Sequence, residues 1–218
     1  MAKHVKLFEG WLSDLAQGLS NAITGRQEAE TEDTAQSSEE WKNEFEDQIT
    51  DISVKATQPK MEPMKDDKYF VVHHTAGRGT AEDVVKILND RGLGVQWVID
   101  RQGKVFQTLP DGVIGWHAGH KDQKDAPTNL QNQTAQGVEV IASNDADILP
   151  VQVAAAFGLM KYLGYEKDAV WGHGEVTHNK EATEGKTIVD YWRANFDKTP
   201  EEVTKELVDN AASFSRYA

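Results

Sequence analysis

The stretch "KYFVVHHTAG", residues 68–77, combines a short apolar run with two adjacent histidines. Its aromatic and β-branched residues predict a buried β-strand. Neighbouring side chains of a strand point to opposite faces of the sheet, so His73 and His74 cannot easily serve one site. The stretch therefore predicts a strand that places a different histidine on each face near its end.

Helical and strand patterns alternate downstream of this stretch. The predicted elements are a helix over 80–92, a hairpin over 94–109, a strand over 136–142, a helix over 150–164, a short strand over 169–173, and helices over 187–196 and 199–207. The hairpin breaks an otherwise parallel pattern. The fold class expected is therefore α/β, with a mixed central β-sheet flanked by helices.

The N-terminal third of the chain has a different character. Residues 1–25 carry an apolar stripe at helical spacing, which predicts an amphipathic helix. Residues 26–66 are acidic and polar, with one weak helical patch, and are interpreted as a flexible linker. The domain proper is expected over 67–218. We expect the N-terminal helix to act as a tether that contacts a virion, another partner or its own domain.

Composition excludes several classes of protein. The net charge is −13, whereas a nucleic-acid binder needs a basic face. No apolar run approaches the roughly 20 residues of a membrane span. Glu9 and Asp14 interrupt the apolar core that a signal peptide requires, so no signal peptide is expected. The chain has no cysteine, and any metal site must use nitrogen and oxygen ligands.

Three histidines lie at or near predicted strand ends, namely His73, His117 and His173. Two imidazoles and one carboxylate can form a catalytic zinc site that leaves the fourth position for water. The carboxylates that follow the last of these histidines are Glu175, Glu181 and Glu184. Spacing alone also allows a simpler reading, in which these histidines are hydrogen-bonded polar residues.

Four motifs occur in order: "VVHHTAG", "GWHAG", "NQTAQGVEV" and "GHGEV". Together they resemble the zinc-dependent N-acetylmuramoyl-L-alanine amidases of the amidase-2 type, which include phage endolysins and peptidoglycan recognition proteins. The resemblance covers roughly residues 67–195. It implies Zn²⁺ as cofactor, bacterial peptidoglycan as partner and hydrolysis of the bond between N-acetylmuramic acid and L-alanine.

The resemblance implies His73 and His173 as zinc ligands. The third ligand of the family is an Asp or Cys before Pro-Gly, and this chain has neither there. Glu184, followed by glycine, is the best match in "HGEVTHNKEATEGK", with Glu181 and His178 as rivals. Glutamate is an ordinary ligand of catalytic zinc.

The resemblance also implies the catalytic groups. Some family members use a tyrosine as the acid/base, but Val95 occupies that position here. Others use a glutamate, which Glu139 matches, and Lys180 is the nearest match to the lysine that polarises the amide oxygen. The residues expected to line the substrate groove are His74, Thr75, Trp116, His117 and Asn132.

The function expected is cell-wall lysis by a phage-encoded enzyme that acts from the host cytoplasm or from a virion. The altered third ligand keeps a second hypothesis open, a non-catalytic peptidoglycan-binding module of the same fold. A virion structural component is a third. Zinc content and loss of turbidity of a wall suspension discriminate among them.

Overall fold

The computed structural model describes residues 32–56, 61–119 and 126–214. Within them the α-helices are α1 (Glu32–Gln48), α2 (Ala81–Asp90), α3 (Pro150–Tyr162), α4 (His173–Val176), α5 (Lys186–Asn195) and α6 (Pro200–Phe214). The strands are β1 (Thr50–Asp51), β2 (Tyr69–His74), β3 (Trp97–Ile99), β4 (Val105–Gln107), β5 (Ala135–Val140) and β6 (Val170–Gly172). The helix predicted over residues 1–25 lies outside the described residues.

The described strands form one six-stranded sheet in the order β1-β4-β3-β5-β2-β6. Strands β3 and β4 pair antiparallel as the predicted hairpin, and the other neighbours are parallel. The mixed α/β class expected from the sequence is thus confirmed. The order places β2, which carries the two histidines, between β5 and β6.

Apolar side chains cover both faces of the sheet. One face carries Phe70, Val72, Val138 and Val140, packed with Phe157 of α3 and other helical residues. The opposite face carries Val98 and Ile141, packed against α2. Because side chains alternate along β2, His74 shares the face of Val72, whereas His73 lies on the opposite face.

The chain divides into two compact units, Met1–Asn43 and Glu44–Ala218. In the first, the described residues 32–43 belong to α1. The second begins well before Asp67, where the sequence placed the domain boundary. Strand β1 pairs with β4, and Ile52 is buried in the cluster under α2. Residues from Glu44 to the end of β1 therefore belong to the sheet-bearing unit and are not linker, because Phe45 and Ile49 also pack on its core.

No helix among the described residues is long and apolar enough to cross a membrane.

Candidate metal centre

Two parallel strands bring a histidine and a glutamate side by side. His73 of β2 and Glu139 of β5 are register partners. Partners on adjacent parallel strands have their side chains on the same face, with the strands about 4.8 Å apart. The sequence "GVEV" thus delivers Glu139 beside His73 on the face opposite Val72.

His173 comes from the next strand over. Strand β6 pairs with β2 through Val72 and Gly172, and His173 is the first residue of the short helix α4 that follows. Because the chain turns directly after strand β6, the imidazole of His173 lies at the end of that strand. The rings of His73 and His173 pack with centroids 4.1 Å apart.

Glu184 reaches the histidines from the segment before α5. Gly185 follows it at φ +82° and caps the helix; a Cβ there would lie 2.3 Å from the carbonyl oxygen of Val72. Asp145 fixes the helix start by accepting hydrogen bonds from the backbone N–H groups of Gly185 and Thr187, at 2.9 and 2.8 Å. Glycine at this position therefore allows Glu184 to approach strand β2 closely.

The three side chains converge on one point. Oε1 of Glu184 lies 2.9 Å from Nδ1 of His173 and 3.5 Å from Nδ1 of His73. One ligand atom from each of the three lies within 4.8 Å of the other two, and all three residues are buried. Tetrahedral zinc ligands lie roughly 3.3 Å apart, because metal–ligand bonds are about 2.0–2.2 Å.

Electrostatics favours the metal-binding protonation states. Burial lowers the pKa of His173, and burial together with the charge of His173 lowers the pKa of His73 well below its ordinary value. Burial alone would raise the pKa of Glu184, but a hydrogen bond from His173 and the nearby imidazole of His73 outweigh it and lower that pKa. Neutral imidazoles and an ionised carboxylate are the forms that bind zinc, so this donor set fits the ion.

The rival ligands lie elsewhere. Glu181 and His178 are exposed and are not part of the buried cluster. Glu175 accepts hydrogen bonds from the backbone N–H of Gly172 at 2.9 Å and from Arg193 at 2.8 Å. Glu175 therefore stabilises the start of α4, and Glu184 alone of these acids joins the two histidines.

Glu139 has the environment of a proton-transfer group. Its Oε2 is buried and has no hydrogen-bond partner among the described residues. Burial raises the pKa of Glu139 to about 8, and the negative charge of Glu184 adds to the rise. A carboxyl with a pKa near neutrality can both accept and return a proton.

Lys180 brings a cation to the same place. Its Nζ lies 3.4 Å from Oε1 of Glu184, and 43% of its side chain is exposed. The charge of Lys180 also opposes the rise in the pKa of Glu139. The ammonium group therefore lies between the cluster and solvent, where it could meet an incoming carbonyl.

Two residues predicted to line the groove are turned inward. His117 lies against His73, with Nδ1 to Nε2 at 3.0 Å, and burial lowers the pKa of His117 to about 3. Asn132 is buried, and its Oδ1 accepts from the backbone N–H groups of His117 and Ala118 at 2.9 and 2.7 Å. These contacts support His73 from the side opposite Glu184, and no sequence pattern distinguished such a supporting role from a place in a substrate groove.

The other residues expected in the groove are half-buried. The Thr75 hydroxyl donates to the carbonyl of Gly77 at 2.9 Å, and so fixes the end of β2. His74 accepts at Nδ1 from the backbone N–H of Ala76, at 3.3 Å. The backbone carbonyl of Trp116 accepts from Gly94 at 3.5 Å. A substrate role for these three stays a prediction.

Sequence reasoning missed Asp145. It is buried and holds the start of α5 through both carboxylate oxygens, which sets the position of Glu184. An acidic residue in the loop "SNDAD" gives no signal of this, because its partners lie about 40 residues away. A capping role could be recognised only once the fold had placed the loop against α5.

The sequence model that describes N-acetylmuramoyl-L-alanine amidases matches residues 63–187. No curated protein matches the chain. Among the solved structures that are similar to it, three illustrate the range. The amidase LysC of Clostridium intestinale URNW is 20% identical, over 60% of this chain and 85% of that one, with a TM-score of 0.48. A mutant endolysin from Bacillus subtilis is 23% identical, over 72% and 97%, with a TM-score of 0.49. Wild-type Drosophila PGRP-LB is 20% identical, over 66% and 92%, with a TM-score of 0.47.

Proposed function

Because this chain belongs to the N-acetylmuramoyl-L-alanine amidase family, whose sequence model covers residues 63–187, we propose that it is a zinc hydrolase of peptidoglycan. The bond cut is the amide between N-acetylmuramic acid and L-alanine. One observation carries the proposal: His73, His173 and Glu184 converge in a buried cluster within a member of this family. The observation supports an intact ligand set despite the altered third position.

Three side-chain atoms would bind the zinc ion. His73 and His173 would bind through Nδ1, and Glu184 through Oε1, since these atoms face one another. A zinc ion bound there supplies a Lewis acid that polarises a carbonyl and lowers the pKa of a water molecule to about 7. The negative charge of Glu184 would also balance part of the positive charge of the ion.

The remaining chemistry belongs to Glu139 and Lys180. Glu139 accepts the proton of the attacking water and passes it to the amine of L-alanine as the amide bond breaks. Its raised pKa favours this return of the proton. Lys180, exposed at the rim of the cluster, stabilises the negative charge that develops on the amide oxygen.

Zinc analysis and wall turbidity test this proposal together. The purified full chain should contain one equivalent of zinc and should clear a suspension of bacterial cell walls. His73→Ala should lose both properties, because it removes a ligand from a buried site. A zinc-free wild-type protein that clears walls as fast as the loaded one would contradict the proposal, whereas wall binding without clearing would favour a binding module.

We further propose a phage setting, in which the enzyme lyses the host from within or travels on a virion. The support is the sequence resemblance to endolysins. Expression of the chain in a bacterial host should cause lysis when a pore-forming membrane protein is supplied as well.

Removal of residues 1–43 tests the proposed tether. Equal wall hydrolysis by the shortened chain and the full chain would support a role for residues 1–43 outside catalysis.

A further inference from the structure

His117 connects His73, a ligand of the proposed zinc site, to the backbone of β5. Its Nδ1 lies 3.0 Å from Nε2 of His73, and its Nε2 lies 3.2 Å from the carbonyl oxygen of Ala135. The two imidazole rings meet edge to face, with centroids 5.1 Å apart and planes at 82°. The carbonyl and the two rings therefore form one continuous line of hydrogen bonds.

The carbonyl oxygen fixes the direction of this line. An oxygen of this kind only accepts, so Nε2 of His117 carries the proton. A neutral imidazole has one such proton, which leaves Nδ1 of His117 bare and able to accept from Nε2–H of His73. Nδ1 of His73 then keeps its lone pair, and this atom lies 3.5 Å from Oε1 of Glu184.

We propose that His117 is a positioning residue that holds His73 in the tautomer with Nδ1 free for the metal. The inference rests on the proposed function, since it concerns the same zinc site. A histidine ligand usually donates its second N–H to an oxygen acceptor, which fixes both tautomer and ring orientation. In this chain an imidazole takes the place of that acceptor and is itself oriented by Ala135.

The surroundings of His117 are shaped to keep its ring in place. A Cβ on Gly137 would lie 2.5 Å from the His117 ring, and one on Gly115 would lie 2.8 Å from it. Both glycines thus open a slot for the imidazole. Asn132 fixes the backbone at the same point by accepting from the N–H groups of His117 and Ala118.

Histidine tautomers in the wild-type protein test the inference directly. Long-range ¹H–¹⁵N correlation spectra of ¹⁵N-histidine-labelled full chain would be recorded in EDTA and with one equivalent of zinc. We expect His117 to carry its proton on Nε2 in both samples, and zinc to bind Nδ1 of His73 and leave the proton of His73 on Nε2. A proton on Nδ1 of His117, or zinc on Nε2 of His73, would overturn the inference.

Two variants separate the two hydrogen bonds of His117. His117→Asn places an amide oxygen near the position of Nδ1 and keeps an acceptor for His73. His117→Gln reaches towards the Ala135 carbonyl and leaves Nε2–H of His73 without its acceptor. We expect zinc affinity in chelator competition to fall about 10–100-fold in the glutamine variant and clearly less in the asparagine variant.

Circular dichroism would first establish that both variants are folded. Equal losses of zinc affinity in two folded variants, or no loss in the glutamine variant, would contradict the inference. If a variant does not fold, the wild-type spectra decide. Failure of the proposed function gives a different result: zinc-loaded wild-type protein leaves muramyl peptide intact, while the tautomers and zinc affinities stand. A groove-lining role would instead raise KM and leave zinc affinity unchanged.

Discussion

Oε1 of Glu184 lies 2.9 Å from Nδ1 of His173, at the place where the sequence resemblance implied an Asp or Cys. Glutamate is one methylene longer than aspartate, and from position 184 it reaches the two histidines. The proposed zinc site therefore has three protein ligands without an Asp or Cys.

Glu184→Gln tests the third ligand. An amide is a much weaker zinc ligand than a carboxylate, so we expect zinc affinity to fall on the order of 100-fold or more, with loss of wall hydrolysis. Glu181→Gln is the matched control, because Glu181 is exposed and close in sequence. Chelator competition measures both variants. Similar zinc affinities in the two variants would show that Glu184 is not a ligand.

Glu139→Gln tests the proton-transfer group. The amide cannot accept the proton of water, so kcat should fall about 10²–10⁴-fold. Zinc content should stay at one equivalent, because Glu139 is not part of the ligand cluster. Retention of more than a tenth of wild-type kcat in the zinc-loaded variant would exclude Glu139 as the general base.

The same substitution should change how stability depends on pH. The pKa of Glu139 is raised to about 8 from the ordinary 4.5, so the folded wild-type protein holds a proton that the unfolded chain releases. Wild-type stability contributed by this group therefore falls as pH rises from about 4.5 to about 8. Glu139→Gln avoids this loss.

We expect the glutamine variant to match the wild type near pH 4 and to exceed it in stability by about 3 kcal/mol at pH 7. Urea unfolding in EDTA at several pH values measures the difference without bound metal. A difference that is constant with pH would show that Glu139 does not titrate in this range.

Gly185→Ala tests the close approach that brings Glu184 to strand β2. Gly185 and Gly164 both have positive φ, +82° and +77°, but only at Gly185 would a Cβ meet a neighbour, the Val72 carbonyl oxygen at 2.3 Å. Gly164→Ala should cost about 1–2 kcal/mol from backbone strain alone. Gly185→Ala should cost more and weaken zinc binding.

Urea unfolding and chelator competition check this pair. If the two alanine variants are equally stable and bind zinc equally, the contact with Val72 does not hold Glu184 in place.

The sequence predicted the parts of the fold that have strong local patterns. Strand β2 and the hairpin follow from apolar periodicity and turn residues, and the structure confirms them. The short strand β1 was missed, because two residues give no periodic signal and their partner β4 lies more than 50 residues away. The domain boundary was therefore placed too late.

The candidate site also contains residues that the sequence predicted and residues whose roles it did not predict. His73, His173 and Glu184 could be selected from motifs, and the structure brings them together. The supporting roles of His117 and Asn132 could not be predicted from sequence, because they depend on hydrogen bonds to a histidine ring and to backbone atoms. Residue type identifies a polar group, but only the fold determines which atom it faces.

The most direct test of the account is identification of the bond that the protein cuts. Purified muramyl peptide would be incubated with the metal-free chain, before and after addition of one equivalent of zinc, and the products analysed by mass spectrometry. We expect a free peptide that begins with L-alanine, together with intact N-acetylmuramic acid, and only in the zinc-loaded sample. Cleavage of a different bond, or equal release of this peptide without metal, would contradict it.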